Sequence, residues 1–132
     1  MSAKRLVVSW LPPTLWAVAI FILSAQSRVP EIGPEFPMKD KVGHWMLYCI
    51  FGWLIALALR RAHNLTLPKT VLLAMLISSG YGVTDEFHQK FVPNRACDVA
   101  DWAADTLGAS AGLAAFYAYE SRRSTKANRQ SA

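Results

Sequence analysis

Between Thr84 and Gly112 the chain places Asp85, Glu86, His88, Gln89, Arg95, Asp98, Asp101 and Asp105, flanked by stretches apolar enough for lipid. Ionisable groups in such a setting are costly and face protein or water, which makes them candidates for a functional site. Carboxylates crowded beside an imidazole suit proton transfer or a divalent cation, because crowding raises one carboxylate's pKa toward a useful value. Arg95, together with Lys41 from an earlier segment, suits phosphate or carboxylate, the arginine in bidentate fashion. The carboxylates would then orient these cations or bind sugar and amine groups. Alternatively, Arg95 pairs internally with Glu86 or Asp101 and joins two helices, since buried charges need partners. His44, Asp85, Glu86, His88, Asp98, Asp101 and Asp105 are all of metal-ligand type. No H-E-x-x-H spacing, zinc-type cysteine pair or nucleophile-elbow serine orders the chemistry, so the sequence assigns neither a metal nor a cofactor.

The elements that carry these residues read as helices. Leu6 to Ser27 and Val42 to Leu59 are uncharged over about 22 and 18 residues, enough to cross roughly 30 Å of hydrocarbon. Thr70 to Thr84 and Thr106 to Tyr119 are shorter, about 15 and 14 residues, and reach full length only if the neighbouring polar turns join them. Asp40, His44 and Tyr48 recur every fourth residue and share a face if the second helix starts by Asp40. In the third segment, Ser79, Gly82, Glu86 and Gln89 fall on one face, with Ser78, Tyr81, Asp85 and His88 beside them. Pro93 and Asn94 mark a turn. Asp98, Asp101 and Asp105 then form a stripe, with Asp98 placed to cap the fourth helix. Gly108 and Gly112 make a GxxxG packing surface. Trp10 and Trp16 read as interfacial, lipid-facing anchors, and Pro12 and Pro13 either start the first helix or kink it.

Charge placement supplies an orientation. Lys4, Arg5, Arg60, Arg61, Lys69, Arg122, Arg123, Lys126 and Arg129, with Glu120, put +8 on one side. Arg28, Lys39, Lys41, Lys90 and Arg95, with eight acids (Glu31, Glu35, Asp40, Asp85, Glu86, Asp98, Asp101 and Asp105), put −3 on the other, recovering the net +5. The basic side is cytoplasmic by the positive-inside rule. Membrane anchoring thus accounts for a sequence pI near 9.5, and nucleic acid is not an expected partner. The segment 28–41, with three prolines, reads as an extended extracytoplasmic connection. Cys49 and Cys97 read as unpaired, and His63 as a solvated loop residue. The expectation is an all-α, integral membrane four-helix bundle over residues 1–120, N-in and C-in, with a polar extracytoplasmic cavity. A basic, disordered cytoplasmic tail follows at 121–132.

Three blocks, DKVGHWMLY at Asp40 to Tyr48, DEFHQKFVPNR at Asp85 to Arg95 and DWAADTLGASAG at Asp101 to Gly112, resemble the VanZ-like family in order and spacing. The family pattern is D-K-x-x-H with a following tyrosine, D-E-x-x-Q-x-F-x-P-x-R, and D-x-x-x-(N/D)-x-x-G-x-x-x-G. The resemblance marks Asp40, Lys41, His44, Asp85, Glu86, Gln89, Arg95, Asp101 and Asp105 as polar-site residues. Asn94 stands where the pattern has glycine. The name-giving member is an accessory in teicoplanin resistance, so the resemblance implies the bacterial cell envelope and the cytoplasmic membrane.

Three functions follow as expectations. The first is recognition or modulation of an envelope lipid, a cell-wall precursor or a lipoglycopeptide at the extracytoplasmic polar site. The second is a membrane-embedded hydrolase or transferase using carboxylate and histidine acid/base or metal chemistry. The third is a small proton-coupled transporter or oligomeric channel. The expected partners are the bilayer and one of those ligands, and a homo-oligomer is compatible with all three functions.

Overall fold

The structure is a computed structural model and describes residues 2–27 and 38–130, with the side chain at 128 left out. The connection expected at 28–41 lies mostly outside the described residues. Four helices follow in order: α1 (Ala3–Ser24), α2 (Lys39–His63), α3 (Leu67–Gln89) and α4 (Val99–Gln130). At 1.5 Å per residue each is long enough for a bilayer. Among the described residues, only α1 and α2 are both long and apolar enough to cross one by composition. The polar turns at the C-terminal end of α3 and the N-terminal end of α4 lower those two below that standard.

Local signals set the helix ends. Ser2 caps α1 by accepting from the Arg5 amide at 3.3 Å. Asn64 closes α2 in the left-handed region at φ 52°, and Pro68 in the first turn of α3 needs no amide partner there. Pro12 and Pro13 lie inside α1 rather than at its start. Asp98 caps α4, accepting from the Ala100 amide at 2.8 Å. Asn94 holds φ at 62°, a conformation that suits the glycine of the family pattern and that asparagine tolerates best among other residues. α4 continues as helix to Gln130, where the sequence predicted a disordered tail from 121. Its extension has no proline or glycine to stop it, and Arg123 pairs with Glu120 one turn back at 3.6 Å.

The core lies among α1, α2, α3 and α4, with Ile20, Tyr48, Phe51, Ile55, Ala56, Leu59, Ala74, Leu113 and Phe116 in one cluster. Lipid competes with such contacts, so close approach and interhelical hydrogen bonds matter more here than in water. A Cβ on Gly108 would run into the Trp45 carbonyl, and one on Gly112 into the Cys49 carbonyl. Gly52 faces Ala109 from the other side, so α2 and α4 meet backbone to backbone. Polar contacts tie the other pairs: Tyr81 Oη donates to the Ala17 carbonyl at 2.8 Å, and Ser79 Oγ lies 3.0 Å from Thr106 Oγ1.

The two tryptophans expected as interfacial anchors also tie helices together. Trp16 Nε1 donates to the Leu47 carbonyl at 2.9 Å, and Trp10 Nε1 donates to His63 Nε2 at 3.2 Å, so His63 joins α1 to α2 instead of being merely solvated. Outward faces are apolar, including Leu11, Leu15, Val18, Phe21 and Ile22 on α1 and Leu72, Leu76 and Val83 on α3. A patch of that extent marks a surface meant for lipid or a partner.

Leucine at Gly108 or Gly112 is expected to force α2 from α4 and cost about 1–3 kcal/mol or more, read as a lower Tm or aggregation in detergent. Gly80→Ala, whose added carbon meets nothing within 4 Å, should leave Tm unchanged or raise it. Leucine variants as stable as Gly80→Ala would contradict the packing.

Candidate functional site

The start of α2, the end of α3 and the start of α4 meet at one end of the bundle. Lys41, in the first turn of α2, is the centre of its outer layer. Its Nζ lies 3.0 Å from Asp40 Oδ2, 2.8 Å from Asp98 Oδ2 and 2.5 Å from Asp101 Oδ1. An ammonium has three N–H groups, so Lys41 is fully engaged and is not the free phosphate ligand that the sequence offered. The Lys41 ammonium holds the Asp98 carboxyl below the usual carboxylate range. Asp98 and Asp101 also gain from the positive end of α4's dipole.

One turn deeper, His44 Nδ1 lies 2.9 Å from Asp105 Oδ1 and His44 Nε2 lies 4.0 Å from Asp101 Oδ2. Asp105 is fully buried, and Gly82 makes room for it: a Cβ there would sit 3.2 Å from Asp105 Oδ2. From α3 come Asp85 and Glu86, each 4% exposed. Glu86 Oε2 accepts from the Asp98 amide at 2.8 Å and Asp85 Oδ2 from Gln89 Nε2 at 3.4 Å. Both acids lie near the C-terminal end of α3, where the helix dipole disfavours anions, so helix capping does not account for them.

His44, Asp85, Glu86 and Asp105 each offer one ligand atom, all within 4.8 Å of one another, the three carboxylates buried and the His44 side chain 12% exposed. Asp85 Oδ1, Glu86 Oε1 and Asp105 Oδ2 are buried and have no hydrogen-bond partner, as is true of Tyr48 Oη. Among the described residues these four are the ones that could hold a metal, and no motif spacing announced them because they come from three helices.

Arg95 departs from one of its two expected roles. It forms no ion pair with Glu86 or Asp101 among the described residues: Asp101 goes to Lys41, and Glu86 takes the Asp98 amide. The Arg95 Nε is buried without a partner on a residue that is itself half-buried. His88 lies apart from the cluster, its ring stacked on Phe21 with centroids 4.4 Å apart. Cys49 and Cys97 are free thiols. Sequence reasoning missed the second task of Asp98, which grips Lys41 as well as capping α4, and the buried hydroxyl of Tyr48. The cue for Tyr48 was its spacing from Asp40 and His44.

The opposite end of the bundle is basic. Arg5 Nε donates to the Arg61 carbonyl at 2.6 Å, Arg60 pairs with Glu120 at 3.3 Å, and Arg60 also donates to the Leu65 carbonyl. An open depression lined by Ala115, Ala118, Tyr119, Arg122, Arg123 and Lys126 lies toward that end and includes no cluster residue. Its open, basic lining marks a solvated face of α4 rather than the site.

The VanZ/LLP1 family profile matches residues 6–120, and the chain belongs to that family, a family of membrane proteins. Uncharacterized protein C11E3.10 of Schizosaccharomyces pombe is 34% identical over 113 residues, covering 83% of this chain. The chain spans only 65% of that relative's length. No solved structure matches the chain.

Lys41→Met is expected to leave Asp98 and Asp101 without their cation and to lower the Tm, by less than for a wholly buried pair because Lys41 is partly exposed. The measurement is thermal unfolding in detergent at neutral pH. The Asp98 share has a definite sign: its folded pKa is depressed, so the contribution is present at neutral pH and is lost as pH falls below the usual carboxylate range. An unchanged Tm in Lys41→Met would contradict the assignment.

Proposed function

We propose, for a chain that belongs to the VanZ/LLP1 family, that its charged end recognises the head group of a membrane phospholipid. The observation that carries this is the company the charges keep. Met38, Phe87, Phe91 and Val99 are 68%, 61%, 69% and 73% exposed, and they belong to the same helix ends as Lys41, Glu86, Arg95 and Asp98. An amphiphile has that division between polar group and chains. Arg95 supplies the cation for a phosphate, and the outer carboxylates, Asp40 and Asp98, suit an amine or hydroxyl on the same head group. The orientation goes with it: the basic end is cytoplasmic, and the site faces the extracytoplasmic side.

The phospholipid reading is preferred as the simplest ligand that joins a phosphate and an amine or hydroxyl to apolar chains, as the charged end and its exposed apolar neighbours require. The apolar core between the two charged ends supports a site closed on one side rather than a transport path. The enzyme reading is second, and one observation favours it: His44 converges with three carboxylates at the site. Release of inorganic phosphate from phosphatidic acid by the purified protein would move the account to that reading.

Titration of the purified chain with dihexanoyl phosphatidylethanolamine, followed by tryptophan fluorescence, is expected to show saturable binding. Arg95→Ala with an unchanged Tm should bind about tenfold to a hundredfold more weakly, since a charge-assisted hydrogen bond contributes about 1.5–3 kcal/mol. Wild-type affinity in a folded Arg95→Ala variant would contradict the proposal.

A further inference from the structure

We infer that His44, Asp85, Glu86 and Asp105 bind one divalent transition-metal ion inside the bundle, beneath the Lys41 ion pairs. Three buried carboxylates this close cannot all stay ionised without a compensating charge. Among the described residues, no ammonium or guanidinium pairs with any of them: Lys41 is committed to Asp40, Asp98 and Asp101, and Arg60 to Glu120. His44 alone meets the cluster, through Asp105.

Asp85 Oδ1, Glu86 Oε1 and Asp105 Oδ2 are buried with no hydrogen-bond partner. Each carboxylate has one oxygen engaged by the protein and one left over. Asp85 is held by Gln89, Glu86 by the Asp98 amide and Asp105 by His44. Outer contacts that fix one oxygen and leave the other to the ion are the usual support of a metal ligand. His44 Nδ1, 2.9 Å from Asp105 Oδ1, exchanges that contact for the ion, while Nε2 faces the Asp101 carboxylate at 4.0 Å.

The dimensions agree. Ligands about 2.1 Å from a shared ion lie about 3–4.2 Å from one another, so the 4.8 Å limit of this group closes onto an ion with small side-chain shifts. Three carboxylates and one imidazole suit Mn2+, Fe2+ or Zn2+. Mg2+ usually keeps several waters and takes fewer protein ligands. A bound dication also lowers the negative charge of this end, which favours approach of a phosphate. The metal inference itself does not rest on head-group binding, because metal uptake is scored without lipid.

The test uses the full chain purified in detergent, stripped with a chelator and titrated with Mn2+ under electron paramagnetic resonance. One Mn2+ per chain is expected, with nitrogen coupling in the pulsed spectrum and a Tm that rises with Mn2+. Asp105→Asn and Glu86→Gln should each weaken binding at least tenfold, and His44→Asn should remove the nitrogen coupling. Glu120→Gln, at the opposite end, should bind as the wild type does. Wild-type stoichiometry and nitrogen coupling decide the matter even if a variant fails to fold. The inference is overturned if folded wild-type protein takes up neither Mn2+ nor Zn2+ saturably, if bound Mn2+ shows no nitrogen coupling, or if folded Asp105→Asn and Glu86→Gln bind as tightly as wild type.

Discussion

Charge balance at one end of the bundle governs this structure. Six carboxylates, Asp40, Asp85, Glu86, Asp98, Asp101 and Asp105, gather where three helix ends meet, and among the described residues the ammonium in ion-pair contact with them is that of Lys41. Lys41 satisfies the outer three. The inner three have His44 and their own hydrogen bonds, and burial makes an unbalanced charge there expensive. Every other arrangement at that end can be read as a way of holding this surplus in place.

The apolar part of the fold sets the geometry that the charges need. Gly108 and Gly112 let α4 touch the α2 backbone at Trp45 and Cys49, which brings Asp105, one turn before Gly108, beside His44. Gly82 gives Asp105 room from the α3 side. Trp102 Nε1 donates to the Ser79 carbonyl at 3.3 Å and adds a tie between α3 and α4 close to the same level. At the far end, Arg60, Glu120, Arg5 and the Trp10–His63 bond close the bundle. The two ends therefore carry opposite charge surpluses, separated by the core around Tyr48, Phe51 and Phe116.

Helical periodicity made much of this legible. The spacing of Asp40, His44 and Tyr48, and of Asp98, Asp101 and Asp105, put those residues on single faces, and the GxxxG pair marked a packing surface. Partner choice was not legible, because it depends on how the helices are rotated against one another. Arg95 and Lys41 are both cations near acids, yet only Lys41 lies in the first turn of the helix that faces the aspartate stripe. The four inner ligands were separately visible as polar residues, but their convergence joins positions far apart in the chain. Trp10 and Trp16 were legible only in part for a related reason: their bodies suit a membrane interface, while their N–H groups found acceptors on α2.

Three buried carboxylates within reach of an imidazole need a compensating charge if they are to stay ionised, and we propose that a metal ion supplies it. The infrared difference spectrum of the purified protein before and after chelation tests that most directly. Removal of the ion is expected to make protonated carboxyl groups appear, and restoring Mn2+ should abolish them, with the change missing in Asp105→Asn combined with Glu86→Gln. Identical spectra with and without chelator, from protein that remains folded, would show that the cluster is balanced from within and would contradict the account.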